Sequence, residues 1–168
     1  MSWSRYCYSF SSTDSGEAFW RFCVKREWGY QKVETKNKIL VVDDKGINRY
    51  MLGNIFREEY EIVEASGGQM AIDIMEVDAR NFAVVMLDII MPMINGFGVL
   101  EYMKDKKLLD KLPVVIVTDD DSEETSDRAF EYKVADLVIK PFEPKIIKRR
   151  VQNIIELYAY REKYGNNT

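Results

Sequence analysis

Short apolar runs alternate with longer amphipathic stretches from residue 38 onward. The apolar runs are rich in β-branched residues and predict five strands, in the segments KILVV, YEIVEA, FAVVML, PVVIV and DLVIK. Between them, apolar positions recur at helical spacing and predict five helices, over 46–58, 67–77, 96–104, 122–132 and 143 to about 160. Three strands are almost entirely apolar, as in a parallel sheet that helices cover on both faces. The predicted fold class is therefore α/β, a doubly wound five-stranded parallel sheet.

The first 37 residues do not follow this alternation. They are rich in aromatic residues and serine and carry no motif, so residues 1–37 are predicted to be an N-terminal extension of unknown role. Segment 18–24 is a candidate short helix or strand, and a poorly ordered extension is the alternative interpretation. Both cysteines, Cys7 and Cys23, lie here, and two free thiols are favoured over a disulfide.

Composition narrows the function classes. The 168 residues are 46% hydrophobic and 31% charged, which is typical of a folded globular domain, and the net charge of -4 leaves no basic footprint for nucleic acid. The KRR run at 148–150 is interpreted as a solvated helix face. No apolar run approaches the roughly 20 residues that a membrane span needs, and no leader is visible, so a cytoplasmic protein is predicted.

The absence of histidine restricts the chemistry further. The sequence contains no histidine, which excludes zinc sites of the usual kind, Ser/His/Asp triads and Cys/His pairs. Any chemistry must come from carboxylates, lysines, hydroxyls and a metal.

Polar side chains stand at the ends of four predicted strands. They are Asp43 and Asp44, Asp88, Thr118 and Lys140, and the carboxyl ends of parallel strands meet at one edge of a sheet. Three carboxylates placed together repel one another and favour a hard cation, Mg²⁺ before any other. One carboxylate can then act as a nucleophile in aspartyl-phosphate chemistry, while the lysine and the hydroxyl contact the phosphoryl oxygens.

Each of these residues also has an ordinary structural interpretation. Asp44 could cap the helix that begins near residue 46, Thr118 could cap the helix that follows it, and Lys140 could be a solvated lysine. Their joint occurrence at the same end of successive strands favours a site.

Four motifs resemble one protein family. The segments ILVVDD, VVMLDIIMPMINGFGVL, VVIVT and VIKPF, in this order and spacing, make residues 38–158 similar to the receiver domain of bacterial two-component response regulators, the CheY-like, flavodoxin-like fold. Residues 159–168 would be a tail that continues the last helix. The resemblance implies a switch that accepts a phosphoryl group from a histidine kinase or a phosphotransfer protein. It also implies that the domain is not an enzyme that turns over an external substrate. The domain would catalyse only its own phosphorylation and dephosphorylation.

The resemblance also implies roles for single residues. Asp88 is expected to be the phosphoacceptor and a metal ligand, Asp44 a direct Mg²⁺ ligand, and Asp43 a ligand that acts through water. The backbone carbonyl of Ile90 would complete the protein's contribution to the metal.

The resemblance also implies roles for Thr118 and Lys140, and the sequence departs from the family pattern at Leu137 and Asp119. Thr118 would bind a phosphoryl oxygen, and Lys140, before the cis peptide bond expected at Pro141, would pair with the phosphate and at rest with Asp88. Leu137 stands where many receivers carry a switch tyrosine or phenylalanine. Asp119 stands at a gate position where a small residue is usual, so it is expected to repel anionic donors, or else to begin the next helix.

The last predicted helix carries an apolar stripe of Ile147, Val151, Ile154 and Tyr158. The stripe predicts either a coiled-coil homodimer or docking surface, or simple packing on the sheet. No output domain is expected after it.

Two other functions stay open. One is a receiver-like interaction or dimerisation module that is not phosphorylated, which Asp119 and Leu137 motivate. The other is a phosphatase of the haloacid-dehalogenase type, but such enzymes need an Asp-x-Asp motif after the first strand, whereas Asp43 and Asp44 are adjacent.

Overall fold

A computed structural model describes residues 36–164 with their side chains, together with the backbone of four short segments before them. Contacts divide the chain into two units, Met1–Thr35 and Lys36–Thr168.

The first unit contains two antiparallel strand pairs. Its strands are β1 (Cys7–Ser12), β2 (Ala18–Cys23), β3 (Lys25–Arg26) and β4 (Gly29–Tyr30). β1 pairs with β2, and β3 pairs with β4. The candidate helix or strand at 18–24 is therefore a strand. The register places Cys7 opposite Cys23, but their side chains lie outside the described residues, so the state of the thiols stays a prediction.

The second unit is a five-stranded parallel sheet with five helices. The strands are β5 (Lys38–Val42), β6 (Glu61–Ala65), β7 (Phe82–Leu87), β8 (Val114–Thr118) and β9 (Asp136–Ile139). The helices are α1 (Gly46–Phe56), α2 (Gly68–Asp78), α3 (Gly96–Asp105), α4 (Glu123–Glu131) and α5 (Pro144–Tyr164). The spatial order is β6-β5-β7-β8-β9, so the chain reverses direction across the sheet between β5 and β7, where ligands bind in such folds. The predicted fold class is confirmed.

Alternate residues of each central strand serve two separate cores. In β7, Val84 and Met86 pack with α1 and α5, whereas Val85 and Leu87 pack with α2, α3 and α4. Every residue of β7 is buried, and full burial of such a side chain stabilises the fold by about 1.5–3 kcal/mol. The central strands are therefore rigid supports for the residues at their ends.

The stripe on the last helix packs largely on the sheet. Ile147 and Val151 are buried in the core beneath α1 and α5, and Ile154 is half-buried against the same core. Packing on the sheet is thus the observed role of this stripe, and self-association stays a prediction. α5 runs to Tyr164, four residues beyond the predicted end.

The ends of the helices correct two of the ordinary interpretations. α1 begins after Lys45 and has no side-chain cap, and α4 is capped by Ser122, whose hydroxyl accepts from the backbone N–H of Thr125. Asp44 and Thr118 are therefore not helix caps. Their side chains are therefore available to a site at the carboxyl edge of the sheet.

No helix in the described part of the chain combines the length and the apolar character that crossing a bilayer requires.

Gly96, the first residue of α3, lies under the loop that follows β7. A Cβ atom there would lie 2.8 Å from the Cα of Ile89 and closer still to the backbone oxygen of Asp88. Because backbone atoms cannot yield without moving the loop, we expect Gly96→Ala to lower the free energy of unfolding by about 1–3 kcal/mol in urea denaturation. Gly67→Ala is the matched control, since a Cβ at Gly67 meets nothing within 4 Å. Equal changes in the two variants would contradict this account.

Candidate functional site

The predicted polar residues meet at the carboxyl edge of the sheet. Asp43 and Asp88 directly follow β5 and β7, Thr118 ends β8, and Lys140 directly follows β9. The backbone N–H of Asp88 donates to the carbonyl of Val42 over 2.9 Å, and that of Lys140 donates to the carbonyl of Thr118 over 2.8 Å. Both bonds link neighbouring strands beyond their last residues, so these side chains have fixed positions at the edge.

The ammonium of Lys140 lies between two buried carboxylates. Its Nζ is 2.7 Å from Oδ2 of Asp43 and 2.8 Å from Oδ2 of Asp88. The three side chains are 9%, 1% and 2% exposed, respectively. Charges so far from water are stable only when they are paired and hydrogen-bonded, and here one cation serves two anions.

The environment shifts the pKa of both Asp88 and Lys140. Burial raises the pKa of the Asp88 carboxyl above its usual value; Lys140 acts in the opposite direction, and the charge of Asp43 adds to the rise. Burial lowers the pKa of the Lys140 ammonium, but hydrogen bonds and charges from Asp43 and Asp88 outweigh it, so that this pKa is raised. The contacts therefore favour the charged form of Lys140, whereas burial works against the charged form of Asp88.

Asp44 supplies the third carboxylate and a buried oxygen that suits a metal ion. Oxygens of Asp43, Asp44 and Asp88 lie within 4.8 Å of one another. Oδ1 of Asp44 is buried and has no hydrogen-bond partner among the described residues. Buried polar atoms are rarely left unpaired, and a set of carboxylate oxygens suits a hard cation such as Mg²⁺. The residues present therefore fit the predicted metal.

The loop after β7 places Ile90 beside the acids. The backbone N–H of Ile90 donates to Oδ1 of Asp88 over 3.1 Å, and the N–H of Gly96 donates to the carbonyl of Ile89 over 3.0 Å and closes the loop. The metal-binding role of the Ile90 carbonyl stays a prediction. The peptide bond between Lys140 and Pro141 is cis, as expected.

Two residues at the start of α1 organise the acids and were missed in the sequence. The side-chain amide of Asn48 donates to both carboxylate oxygens of Asp43, over 3.1 and 2.9 Å. The guanidinium of Arg49 donates to the carbonyls of Asp43 and Asp44, over 2.8 and 3.3 Å, and to the carboxylate of Glu64 over 3.0 Å. The available signal was a pair of adjacent polar residues in the first turn of the helix that follows the two acids.

Comparison with known proteins identifies the family. A family model described as the response regulator receiver domain matches residues 39–152, which is well over half of the chain. The chain belongs to the response regulator receiver domain family.

Individual relatives agree with this membership. The two-component response regulator ORR3 of Oryza sativa subsp. indica is 28% identical over 123 residues, which cover 73% of this chain and 93% of ORR3. The transcriptional regulatory protein SrrA of Staphylococcus aureus is 33% identical over 121 residues, which cover 71% of this chain and 48% of SrrA. The chain thus matches about half the length of SrrA.

A solved structure agrees with the fold. The chemotaxis protein CheY4 of Vibrio cholerae superposes with a TM-score of 0.64 at 24% identity, over 70% of this chain and 98% of that chain.

Receiver domains are signalling domains that are generally not classed as enzymes. Membership of the receiver domain family supports phosphorylation-dependent two-component signalling.

Asp119 lies at the rim of the receiver's acidic site. Its Oδ2 is 3.5 Å from Nζ of Lys45 and 4.0 Å from Nζ of Lys140, and its side chain is 51% exposed. Asp119 lies before the cap of α4, whereas the next residue, Asp120, accepts from the N–H of Ser122 and from the hydroxyl of Thr125. Supporting the start of α4 is therefore the role of Asp120. Asp119 remains a candidate gate, but one whose charge faces two lysines.

Thr118 and Leu137 occupy different parts of the edge. The Thr118 side chain is fully buried, and its hydroxyl accepts from the backbone N–H of Asp120 over 3.3 Å. Leu137 is half-buried and packs on the core beneath α2, α3 and α4. Neither contact tests the predicted roles in phosphoryl binding and switching.

Replacing Lys140 by methionine leaves two buried carboxylates without their shared ammonium. Loss of one partner of a buried ion pair destabilises a protein by about 3–5 kcal/mol, so we expect Lys140→Met to lower the free energy of unfolding by about that amount. Urea denaturation at neutral pH with a chelator measures it.

Two further variants test the cause. Adding Asp88→Asn to Lys140→Met removes one of the facing charges and should recover part of the lost stability, whereas Lys145→Met, at an exposed lysine of α5, should change it by less than about 0.5 kcal/mol. A double variant no more stable than Lys140→Met alone would contradict this role of the ammonium.

Proposed function

We propose that the protein is a phosphorylation-dependent switch that accepts a phosphoryl group on Asp88 from a histidine kinase or a phosphotransfer protein. The observation that carries the proposal is the buried Asp88 carboxylate, held 2.8 Å from the Lys140 ammonium at the carboxyl edge of the sheet. The fold supports Asp88 rigidly, because it follows a strand that is buried along its whole length.

The proposed reaction transfers one phosphoryl group. A carboxylate oxygen of Asp88 attacks the phosphorus, an O–P bond forms, and the P–N bond of the donor's phosphohistidine breaks. The departing imidazole nitrogen keeps the electron pair and takes up a proton from water. Lys140 neutralises the phosphoryl oxygens, and the Thr118 hydroxyl donates to one of them. In a later step, water hydrolyses the acyl phosphate on Asp88. The domain therefore turns over no external substrate.

Asp43, Asp44 and Asp88, with the backbone carbonyl of Ile90, would hold a Mg²⁺ ion. The ion would supply charge stabilisation for the transferring phosphoryl group. The unpartnered Oδ1 of Asp44 supports this assignment. Asn48 and Arg49 then act as positioning residues, because they orient Asp43 and the loop that carries Asp44.

The output is proposed to be a change in partner affinity on the face formed by α4, β9 and α5. The far end of α5 exposes Leu157, Tyr160 and Tyr164, which are 48%, 64% and 42% exposed. These side chains support a homodimer or a docked partner at the last helix. Signalling with a kinase or phosphotransfer protein would take place in the cytoplasm.

An interaction module that is not phosphorylated is the alternative. Asp119 favours it, because a carboxylate at the rim repels anionic donors. Lys45 at 3.5 Å offsets part of that charge, which favours the switch. The phosphatase hypothesis finds little support, because Lys45 stands two positions after Asp43, where an Asp-x-Asp enzyme needs its second aspartate.

The test is intact-mass analysis after incubation with Mg²⁺ and acetyl phosphate. The parent is expected to gain one phosphoryl group, and Asp88→Asn is expected to gain none, because the attacking carboxylate has gone. Asp121→Asn is the matched control, since it removes an exposed carboxylate of the loop after β8. Labelling of Asp88→Asn to the extent of the parent would sink the proposed phosphoacceptor.

If the parent protein gains no phosphoryl group, the same assay is repeated with the Asp119→Ala variant. Rescue in that variant would assign control of donor access to Asp119. Continued absence of label would favour the interaction module.

Metal affinity tests the acidic cluster without any phosphorylation. We expect Asp44→Asn to weaken Mg²⁺ binding in isothermal calorimetry by at least about tenfold, or 1.4 kcal/mol, because a charged ligand is lost. Asp121→Asn should leave the affinity within about twofold, since exposed charges are largely screened by salt. Equal affinities of the parent and Asp44→Asn would remove Asp44 from the metal site.

A further inference from the structure

A groove lies at the opposite edge of the sheet from the acids. It has a volume of about 570 Å³ and lies between the ends of α3 and α4 and the second half of α5. These helices run antiparallel to the strands, so their final turns and the segments that lead into β8 and β9 meet at the amino edge. We call it the α3–α4–α5 groove. Its volume falls in the range of roughly 300–1,000 Å³ that is typical of small-molecule sites.

The lining of the groove is positive although the whole chain is negative. Lys104, Lys107, Lys133 and Arg161 line it, against two carboxylates, whereas the chain carries a net charge of -4. Among the described residues, Lys107, Lys133 and Arg161 form no ion pair. Three cations thus line one concave surface without an ion pair among the described residues.

Two of these lysines stand where glycine is usual. Lys107 follows the C-cap of α3 and Lys133 follows that of α4, and both have a φ of 56°. A left-handed conformation costs a residue other than glycine about 1–2 kcal/mol. The C-terminus of each helix offsets part of this cost, because its partial charge of about -0.5 attracts a cation. Lys104 is paired with Glu101, so the remaining three cations exceed the two carboxylates of the lining by one charge, which about equals the partial negative charge of the two helix ends.

Aromatic and apolar side chains form the rest of the wall. The ammonium of Lys104 lies 5.4 Å from the centre of the Tyr132 ring, and the guanidinium of Arg161 lies 5.4 Å from the centre of the Tyr158 ring. Leu157 adds apolar surface. A flat base can stack on a tyrosine ring or on a guanidinium plane, while lysines bind phosphate as point charges.

The wall that α5 contributes belongs to this chain and not to the matched family region. Leu157, Tyr158 and Arg161 lie beyond residue 152, where the match to the family model ends. The groove is therefore separate from the acidic site both in position and in the part of the sequence that builds it.

We propose that the α3–α4–α5 groove binds a nucleotide, with its base against the tyrosine and apolar wall and its phosphate between Lys107, Lys133 and Arg161. A nucleotide, in which a ribose joins a phosphate ester to a planar base, is the ligand class that uses both halves of the lining. The site does not depend on phosphorylation of Asp88, so it stands or falls separately from the proposed switch.

The test follows backbone amide NMR signals of the full chain during titration with AMP. Saturable shifts are expected for residues of the groove, in the millimolar range or tighter, and not for residues around Asp88. Inorganic phosphate alone and adenosine alone are parallel probes. Each is expected to bind at least about tenfold more weakly than AMP, because each lacks half of the contacts.

Lys107→Gly with Lys133→Gly is the decisive variant. Glycine adopts the left-handed conformation without strain, so the fold is retained while two charges are lost, and AMP should bind at least about tenfold more weakly. The matched control is Lys145→Gln with Arg149→Gln, which removes two exposed cations of α5 that do not line the groove. It should leave the affinity within about twofold.

Three results would overturn the proposal. They are the absence of saturable shifts with AMP, equal weakening in the glycine variant and its control, and inorganic phosphate that binds as tightly as AMP. The last result would mean that the groove attracts anions through charge alone and has no place for a base.

Discussion

The contact on which the site depends is one ammonium shared by two buried carboxylates. Removing an ion from water costs several kcal/mol even inside a relaxed protein, so Lys140, Asp43 and Asp88 are stable only because their positions are set by the sheet. The inter-strand bonds at Asp88 and Lys140 do this from the backbone, and two cores hold those strands from both faces. Because two carboxylates share one ammonium, the site carries excess negative charge and responds to any new charge, whether a cation or a phosphoryl group.

Much of the fold could be predicted because burial leaves a strong pattern. Strands covered on both faces read as continuous apolar runs, and β7 is buried at every position, as its sequence indicates. Boundaries were less certain. α1 ends at Phe56, two residues before the predicted end, and α5 continues to Tyr164. Amphipathic periodicity does not mark where a helix ends.

The site was predictable to the extent that strand ends collect side chains. Asp43, Asp88, Thr118 and Lys140 meet because parallel strands share an edge, which spacing alone indicates. The contacts that orient them depend on loop geometry. Asn48 reaches Asp43 only because the loop after β5 bends back from the strand, and Lys45 meets Asp119 across 74 positions of sequence. No periodic pattern in one sequence records such a pairing.

The acidic site and the α3–α4–α5 groove lie at opposite edges of the sheet. The carboxyl edge holds Asp43, Asp44 and Asp88, and the groove at the amino edge is lined by four cations and two carboxylates. α5 spans both regions. It begins shortly after Lys140, is fixed to the sheet by Ile147 and Val151, and ends with the residues that line the groove. A helix that is packed in this way moves as one body, but continuity of structure is not itself coupling. Coupling requires two discrete positions of α5 that the two sites favour unequally, and any such coupling must act equally in both directions.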